Sequence, residues 1–289
     1  MVGVSQSAAR EESFSSPKGL RIVFRSWHPQ TQPRAVVAIC HGFNSHGGQY
    51  AGVAEEFAAN GFAVYAVDLR GRGKSEGERF YVDHVSEYTD DLGTLISLAK
   101  SREPGLPIFL LGHSAGGVIS CTYALDHQSE LAGLICESFA YKVPAPDIVL
   151  SLLKGLSAVA PRLQVFTLRN KDFSRDPVAV RTLDNDPLIA GESQPAKTVA
   201  ALARADETLK VSFPKITLPI LILHGTEDKA TVPAGSQFFY DTAGSKDKTL
   251  KLYKGHYHDL LNDYGKEDVM ADIVGWIEDR LPRAATGPF

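Results

Sequence analysis

The sequence predicts an α/β fold, in which a mostly parallel central sheet has helices on both faces and is interrupted by an inserted helical cap. Two observations support this prediction. Short apolar runs alternate with helical periodicity through the first half of the chain, and the alternation resumes at Pro219. Between residues 139 and 213, in contrast, no strong strand pattern occurs. The predicted parts are a flexible N-terminal segment (1–18), a core (19–138 and 214–282) and the cap (139–213).

The composition excludes several classes of protein. With 44% hydrophobic and 22% charged residues, the chain is typical of a globular protein rather than of a disordered one or a coiled coil. A net charge of -4 without long basic runs argues against a nucleic-acid partner. The first 18 residues lack the apolar segment of a secretion signal, and a cytoplasmic location is predicted. Cys40, Cys121 and Cys136 lie in apolar patterns without metal-ligand spacing, so no metal is expected.

The elements that precede the cap follow in a regular order. A β-prone edge strand is followed by a buried strand, an amphipathic helix, a second buried strand and a longer helix. In the loop after the second buried strand, Asp68 and Arg70 are predicted to be local hydrogen-bond partners. The five elements fall at residues 20–27, 35–40, 51–60, 62–67 and 85–99.

The segment 112–116, Gly-His-Ser-Ala-Gly, follows a buried-strand pattern at residues 107–111 and precedes a buried helical pattern. A serine hydroxyl is a weak nucleophile until a base takes its proton, and a sharp strand-to-helix turn exposes it to base and substrate. Such a turn crowds the backbone, and glycine at positions 112 and 116 removes the Cβ atoms that would clash. Ser114 is therefore the candidate nucleophile, and the alternative is a glycine-rich turn that contains a serine by chance.

The loop after the strand at residues 35–40 is where a second backbone N–H of an oxyanion hole would lie, the first coming from the residue after the nucleophile. We therefore predict Phe43 and Ala115 as the two donors. His41 and His46 lie in the same loop, but the chain order expected for this arrangement puts the catalytic base last. Both histidines are predicted to brace the loop by hydrogen bonds.

An acid and a histidine follow the cap in the order that this arrangement requires. Asp228 comes directly after the apolar strand that follows the cap, and it is the candidate for orienting the base. Glu227 and Glu137 are competing acids. On the last loop, His256 and His258 both stand after the serine and the acid, and the residues themselves leave this choice open.

An apolar stripe with helical spacing marks the cap and includes Ile148, Leu152 and Val159. Such a stripe is typical of core packing, but in a lid above a serine site it could also line an acyl pocket. Both alternatives stay open. A second cap helix is predicted within residues 195–209.

Five groups of residues carry a resemblance to one family. They are His41-Gly42 with His46 and Tyr50, residues 68–75, residues 112–117, residues 224–228, and Tyr257-His258. In these groups the sequence resembles the α/β-hydrolases, and within them the monoacylglycerol lipase or lysophospholipase group of serine esterases, from about residue 19 to residue 281. The resemblance implies hydrolysis of a carboxylic ester through an acyl-enzyme without a cofactor, and a cap that shapes an apolar acyl tunnel. It also implies that the base belongs to the late Tyr-His pair, which selects His258.

Four positions depart from the pattern of that group. Ser45 and Gln49 stand where members that cleave monoacylglycerols usually have an acidic residue and an arginine. Ala115 stands in place of a methionine, and Arg72 in place of a histidine. These departures leave the fold and the triad unaffected and bear on recognition of a glycerol headgroup. The candidate substrate contacts are Ser45, Gln49, Ile148 and Leu152.

The predicted partner is a small-molecule ester, and a transient contact between the cap and a membrane or lipid surface is a further expectation. Two other functions stay open. A serine aminopeptidase of the proline iminopeptidase type shares the fold and the triad, and it would need a cap carboxylate to hold the free amine of its substrate. A non-catalytic binding scaffold of the same fold would not need the triad. The carboxylates available to the aminopeptidase are Asp147, Asp172, Asp176, Asp184 and Glu192.

Overall fold

An eight-stranded sheet forms the centre of the molecule. The structure is a computed structural model that describes residues 9–143 and 147–282, but not the side chains of residues 147–151. The strands are β1 (Arg10–Ser15), β2 (Arg21–Trp27), β3 (Ala35–Cys40), β4 (Phe62–Val67), β5 (Ile108–His113), β6 (Gly133–Glu137), β7 (Gln164–Phe166), β8 (Gln194–Pro195), β9 (Ile220–Gly225) and β10 (Lys248–Tyr253). The helices are α1 (Ala51–Ala59), α2 (Ser86–Arg102), α3 (Ala115–His127), α4 (Asp147–Val159), α5 (Pro177–Asp184), α6 (Ala196–Ser212), α7 (Pro233–Thr242) and α8 (Lys266–Glu278).

The sheet is mostly parallel, as predicted. Its strands lie in the order β1-β2-β4-β3-β5-β6-β9-β10. β2 pairs antiparallel with β1 and with β4, whereas the other neighbours pair in parallel. Parallel strands bring their carboxyl ends to the same edge of a sheet, where α/β proteins bind their ligands. The loops after β3, β5, β9 and β10, which carry the predicted chemistry, therefore meet at that edge.

Two apolar cores cover the two faces of the sheet, because alternate residues of a strand point to opposite faces. In β3, Val36 and Ala38 enter the core that contains residues of α2 and α3. Val37 and Ile39 enter the core that contains residues of α1 and α8. All of β3 is buried, which explains its unbroken apolar run. The predicted placement of helices on both faces is confirmed.

The N-terminal segment differs from the prediction. We expected residues 1–18 to be flexible, but β1 forms an edge of the sheet and pairs with β2 along its whole length. Its outer side chains are polar and exposed, as is typical of edge strands, whereas Phe14 packs on Phe24 with the rings tilted and 5.9 Å between their centroids. The expectation is therefore wrong for Arg10–Ser15, where polarity marks an edge strand. Residues 1–8 lie outside the described part of the chain.

The chain between β6 and β9, which we call the insertion, interrupts the sheet order in sequence. It contains α4, α5 and α6 and a small antiparallel sheet of β7 and β8. We expected no strong strand there, and these two strands are too short to show a period of two in the sequence. The second helix predicted for this region is α6, which packs on α4 and α3. Within residues 9–143 and 147–282 we find no helix with the length and apolar character needed to cross a membrane.

Candidate active site

Ser114 occupies a sharp turn between β5 and α3. Its backbone has φ 56° and ψ -121°, a conformation that residues with a Cβ atom rarely adopt. Two hydrogen bonds hold the turn: the Ser114 amide donates to the Glu137 carbonyl oxygen at 2.9 Å, and the Gly117 amide donates to the Ser114 carbonyl oxygen at 2.9 Å. A strained serine held in this way has the geometry of a nucleophile elbow.

The glycines around this turn permit close backbone contacts. A Cβ atom on Gly116 would lie 2.1 Å from the carbonyl oxygen of Cys40, and one on Gly112 would lie 2.6 Å from the carbonyl oxygen of Gly116. Gly42 plays the same part in the loop after β3, because its Cβ would lie 2.8 Å from the Cβ of Ser114. The predicted reason for glycine at positions 112 and 116 is confirmed.

His258 and Asp228 form a buried pair at the same edge of the sheet. Nδ1 of His258 lies 2.8 Å from Oδ2 of Asp228, and neither side chain is exposed. An ionised carboxylate only accepts hydrogen bonds, so this contact places the proton of the neutral imidazole on Nδ1 and leaves Nε2 as the acceptor. Nε2 is buried and has no hydrogen-bond partner among the residues that the structure describes. It is the atom that a general base would use.

Several groups keep Asp228 ionised. Its Oδ1 accepts hydrogen bonds from the amides of Ala230 at 2.8 Å and Thr231 at 2.9 Å, and its Oδ2 lies 3.1 Å from Nε2 of His224. Burial alone would raise the pKa of Asp228, but His258 and His224 beside it hold this pKa well below its ordinary value. The carboxylate can therefore orient the imidazole and stabilise its protonated form.

The competing acids occupy other environments. Glu227 is exposed to solvent. Glu137 is buried, accepts a hydrogen bond from the Leu261 amide at 3.2 Å, and has a pKa that burial raises well above its ordinary value. A neutral carboxyl cannot stabilise a protonated imidazole as an ionised one does. Of the candidates, Asp228 is the acid that the structure brings to a late histidine.

The other histidines make different contacts. His41 contacts the Gly42 carbonyl oxygen at 2.7 Å through Nδ1 and accepts from the Leu69 amide at 3.0 Å through Nε2. His46 accepts from the Gly48 amide at 3.0 Å and contacts Asp186 at 2.8 Å. The predicted bracing role of both is confirmed. His256 packs its ring near Tyr253, with 5.5 Å between centroids, whereas His258 contacts Asp228.

A cavity of about 190 Å³ opens beside Ser114 and runs under the insertion. Phe43 and Ala115 line it together with the serine. The insertion supplies most of the remaining wall from α4, β7 and α6. The apolar residues of this wall are Leu153, Val165, Phe166, Val199, Leu202 and Ala203. The cavity is thus a mostly apolar space with the nucleophile in its lining.

Three of the predicted substrate contacts lie away from this cavity. Leu152 is 69% exposed, because a step of one residue on α4 turns a side chain by about 100°; Leu153 lines the cavity instead. Gln49 donates to Oδ2 of Asp186 at 2.8 Å, and Ser45 is buried beside Tyr50. The side chain of Ile148, the fourth predicted contact, lies outside the described residues.

Comparison with known proteins identifies the family. A family model described as "Serine aminopeptidase, S33" matches residues 31–265. The chain belongs to this α/β-hydrolase family. The match begins after β2 and extends over the other six strands of the central sheet, the insertion and the loops that carry Ser114, Asp228 and His258.

The relatives of this α/β-hydrolase include several lipases. It is 35% identical to a monoacylglycerol lipase of Mycolicibacterium smegmatis over 95% of this chain and 99% of that protein. It is 31% identical to a monoglyceride lipase of Homo sapiens over 93% of this chain and 90% of that protein. Among solved structures, the monoacylglycerol lipase of Paleococcus ferrophilus superimposes with a TM-score of 0.80 at 31% identity, covering 90% of this chain and 99% of that one. The predicted fold class and family resemblance are confirmed, and the chain is a serine ester hydrolase.

One link between the core and the insertion was not predicted from the sequence. The guanidinium of Arg72 is fully buried, forms an ion pair with Glu192, and donates to Oε1 of Gln194 at 2.8 Å. It also lies 4.4 Å from the ring centroid of Phe43. Glu192 in turn accepts from the amide of Asn44 at 2.9 Å. In this α/β-hydrolase the loop that carries Phe43 is therefore held by the insertion, through partners that are far apart in sequence.

The carboxylates considered for an aminopeptidase have other partners. Asp172 accepts from Arg169 at 2.7 Å, Asp176 caps α5 through the Val178 amide at 2.8 Å, and Asp184 accepts from Asn170 at 2.9 Å. Glu192 pairs with Arg72 as described, and none of these four residues lines the cavity. The side chain of Asp147 lies outside the described residues.

One acid of the insertion does line the cavity. Asp206 lies on α6 in the same stripe as Val199, Leu202 and Ala203. It was not among the site residues predicted from the sequence. A charged residue at the next position of an apolar helical stripe was the signal that could have indicated it.

His113, Glu137 and Asp259 bring potential metal-ligand atoms within 4.8 Å of one another. Both ring nitrogens of His113 already have contacts, Nδ1 with the Tyr50 hydroxyl at 3.0 Å and Nε2 with the His258 carbonyl oxygen at 3.3 Å. Burial raises the pKa of Glu137 well above its ordinary value and that of Asp259 to about 6. Metal ligands must be deprotonated, and the raised pKa of Glu137 works against that, so this cluster is better suited to bracing the loop of His258.

Proposed function

We propose that this α/β-hydrolase cleaves monoacylglycerols or other small-to-medium acyl esters through a triad of Ser114, His258 and Asp228. One observation carries the proposal: a buried imidazole, oriented by a carboxylate and with Nε2 unpaired among the described residues, shares one sheet edge with a strained serine in the lining of a mostly apolar cavity. The lipase names of the relatives support the class of substrate.

The first half of the reaction forms an acyl-enzyme. Oγ of Ser114 attacks the ester carbonyl carbon while its proton passes to Nε2 of His258. Asp228 holds the Nδ1 proton and stabilises the imidazolium. The amides of Phe43 and Ala115 donate to the oxyanion, and one such donor typically stabilises the transition state by about 3 kcal/mol. When the tetrahedral intermediate collapses, His258 gives its proton to the departing alcohol.

The second half of the reaction releases the acid. Water gives a proton to Nε2 of His258 and attacks the acyl carbon, and the same two amides again stabilise the oxyanion. Ser114 leaves with the proton returned from His258. All of these steps use groups of the chain itself.

The insertion acts as a cap in this proposal. Its apolar wall accommodates the acyl chain, while the loop after β3 and Ser114 receive the carbonyl end. Its outer surface also exposes large apolar side chains, with Leu152 69%, Val159 85% and Leu163 50% exposed. We propose that this outer surface makes a transient contact with a lipid surface, from which the substrate enters.

The function is tested by initial rates on p-nitrophenyl esters from acetate to palmitate, beside 1-monoacylglycerols and bulky aryl esters. Ser114→Ala is the matched blank, and its circular dichroism spectrum and melting temperature should equal those of the wild type. We expect hydrolysis by the wild type, with a preference for medium or long monoacylglycerols, and none by the variant. Turnover by Ser114→Ala would contradict the assigned nucleophile, and a preference for aryl esters would contradict the monoacylglycerol substrate.

A further inference from the structure

Among the described residues that line the cavity, Asp206 is the one acidic residue. The other polar side chains in this described lining are Ser114 and Thr231, and both belong to the reaction centre, where Thr231 donates to Oδ2 of Asp228 at 2.7 Å. Oδ1 of Asp206 is buried and has no hydrogen-bond partner among the described residues. Buried polar atoms in folded proteins nearly always have a partner, so an unpaired one in a ligand cavity points to the ligand.

Two observations indicate that Asp206 lines a part of the cavity that is distant from Ser114. The first is its electrostatic interaction with Cys121, whose thiol pKa is raised by burial, by Cys136 and by Asp206. Cys121 follows Ser114 by seven residues on α3, which corresponds to about 10 Å along the helix axis.

The second observation concerns α6. This helix begins two residues after Gln194, which accepts a hydrogen bond from Arg72 beside Phe43. Asp206 follows Ala196, the first residue of α6, by ten residues, or about 15 Å along the axis. The acid is therefore remote from the carbonyl end of a bound ester and close to the far part of its acyl chain.

The surroundings of Asp206 favour its neutral form. Burial raises the pKa of its carboxyl well above the ordinary value, and the neighbouring charge of Glu207 raises it further. A neutral carboxyl both donates and accepts a hydrogen bond, and a ligand hydroxyl does the same. An ammonium group would instead have to leave water and form an ion pair in an apolar cavity. The desolvation cost of the two charges exceeds their attraction unless further hydrogen bonds stabilise the pair.

We propose that Asp206 is a specificity-determining residue that binds a hydroxyl group on the far part of the acyl chain, so that the enzyme prefers hydroxylated acyl esters. The proposal rests on the proposed ester hydrolysis for its reaction, and it concerns the acyl group rather than the alcohol. A plain acyl chain leaves the Asp206 carboxyl without a hydrogen-bond partner. A hydroxyl group at the right distance from the ester carbonyl supplies that partner.

The test compares kcat/KM for p-nitrophenyl esters of ω-hydroxy acids and of the matching plain acids, in a series from hexanoate to hexadecanoate. We expect the ratio of hydroxy to plain ester to reach a maximum of about tenfold at one chain length in the wild type. Asp206→Leu should abolish the maximum and accelerate the plain esters. Asp206→Asn, which keeps a donor and an acceptor, should retain part of it. Lys210→Gln, at an exposed position farther along α6, should leave it unchanged.

Several results would overturn this proposal. One is a ratio of hydroxy to plain ester that does not change with chain length in the wild type. This result needs no variant, so the test holds even if Asp206→Leu fails to fold. A maximum that survives in Asp206→Leu, or a stronger preference for ω-amino esters, would also overturn it. Failure of the proposed function is a separate result, because it would appear as absence of Ser114-dependent hydrolysis of every plain ester.

Discussion

The reaction centre and the cavity wall of this hydrolase are stabilised in opposite ways. Around Asp228 each carboxylate oxygen has at least two hydrogen-bond or ion-pair contacts, from backbone amides, a threonine hydroxyl and two histidines. On the wall of the cavity, Oδ1 of Asp206 is buried without a partner among the described residues. The groups proposed for the chemistry are therefore positioned before substrate arrives, whereas the group proposed for specificity gains its hydrogen-bond partner only from substrate.

The two regions also differ in how far apart in the sequence their contacting residues lie. The turn at Ser114 and the Asp228 loop are held largely by neighbouring backbone groups, as at the Thr231 and Gly117 amides. The insertion is attached through the buried ion pair of Arg72 and Glu192 and through His46 with Asp186. Variants that remove either a local or a long-range contact therefore test this difference.

The largest effect is expected at Asp228. Asp228→Asn should lower kcat by about 10⁴-fold, because an amide in place of the carboxylate favours the wrong tautomer of His258 and cannot stabilise the imidazolium. Steady-state kinetics on a p-nitrophenyl ester measures this effect. Glu227→Gln removes a charge from the exposed neighbouring residue and should leave kcat unchanged. A loss below tenfold in Asp228→Asn would show that another group orients the histidine.

A large loss of stability is expected at the link between the core and the insertion. Arg72→Met should lower the free energy of unfolding by about 4 kcal/mol, because it leaves the buried Glu192 without its cationic partner. Urea denaturation measures this change. The matched control is Arg162→Met, which breaks an exposed ion pair with Glu78 and should change stability by less than about 1 kcal/mol. Equal losses in the two variants would contradict the distinction between buried and exposed links.

Two glycines give a matched comparison of the regions. Gly116→Ala should lower the free energy of unfolding by about 3 kcal/mol and reduce activity, because its Cβ would meet the Cys40 carbonyl oxygen. Gly155→Ala, in α4 of the insertion, meets no atom within 4 Å and should raise the free energy of unfolding by about 1 kcal/mol through helix propensity. Thermal and urea unfolding measure whether the free energy of unfolding falls in the first variant and rises in the second. Tolerance of alanine at position 116 would show that the elbow can relax.

The smallest effect concerns the pH dependence at Asp206. Its pKa in the folded protein is raised, so wild-type stability from this group is fully present below the unfolded pKa of about 4 and is lost as pH rises through the folded pKa. Asp206→Leu should therefore stabilise the protein by about 1 kcal/mol near neutral pH, and by less at pH values below about 4. Urea denaturation at the two pH values measures the difference. A gain that is larger at low pH would contradict a buried neutral carboxyl.

Much of the fold was predictable because its signals are local. The unbroken apolar run of β3 follows from burial on both faces, and the glycines at 112 and 116 follow from backbone crowding at the turn. β1 was missed because an edge strand exposes polar side chains and therefore resembles a loop in sequence. β7 and β8 were missed because a period of two cannot be recognised in three residues.

Of the candidate site, the order of serine, acid and histidine was evident from the sequence, and the geometry brings Asp228 to His258 rather than to His256. Substrate contacts were predicted less well. Leu152 was chosen from the stripe of α4, but its helix turns Leu153 to the cavity. The rotation of a helix about its axis depends on what it packs against, and α4 packs on α6.

Local sequence patterns were enough to predict the order of strands and helices, the strained turn at Ser114 and the candidates for acid and base, since each depends on residues within a few positions of one another. The packed structure was needed to show which acid contacts the histidine, that Arg72 joins the loop of Phe43 to the insertion, and that Asp206 lines the cavity. These features join groups far apart in the chain. Their contacts depend on how the layers pack, and no local pattern of residues encodes that packing.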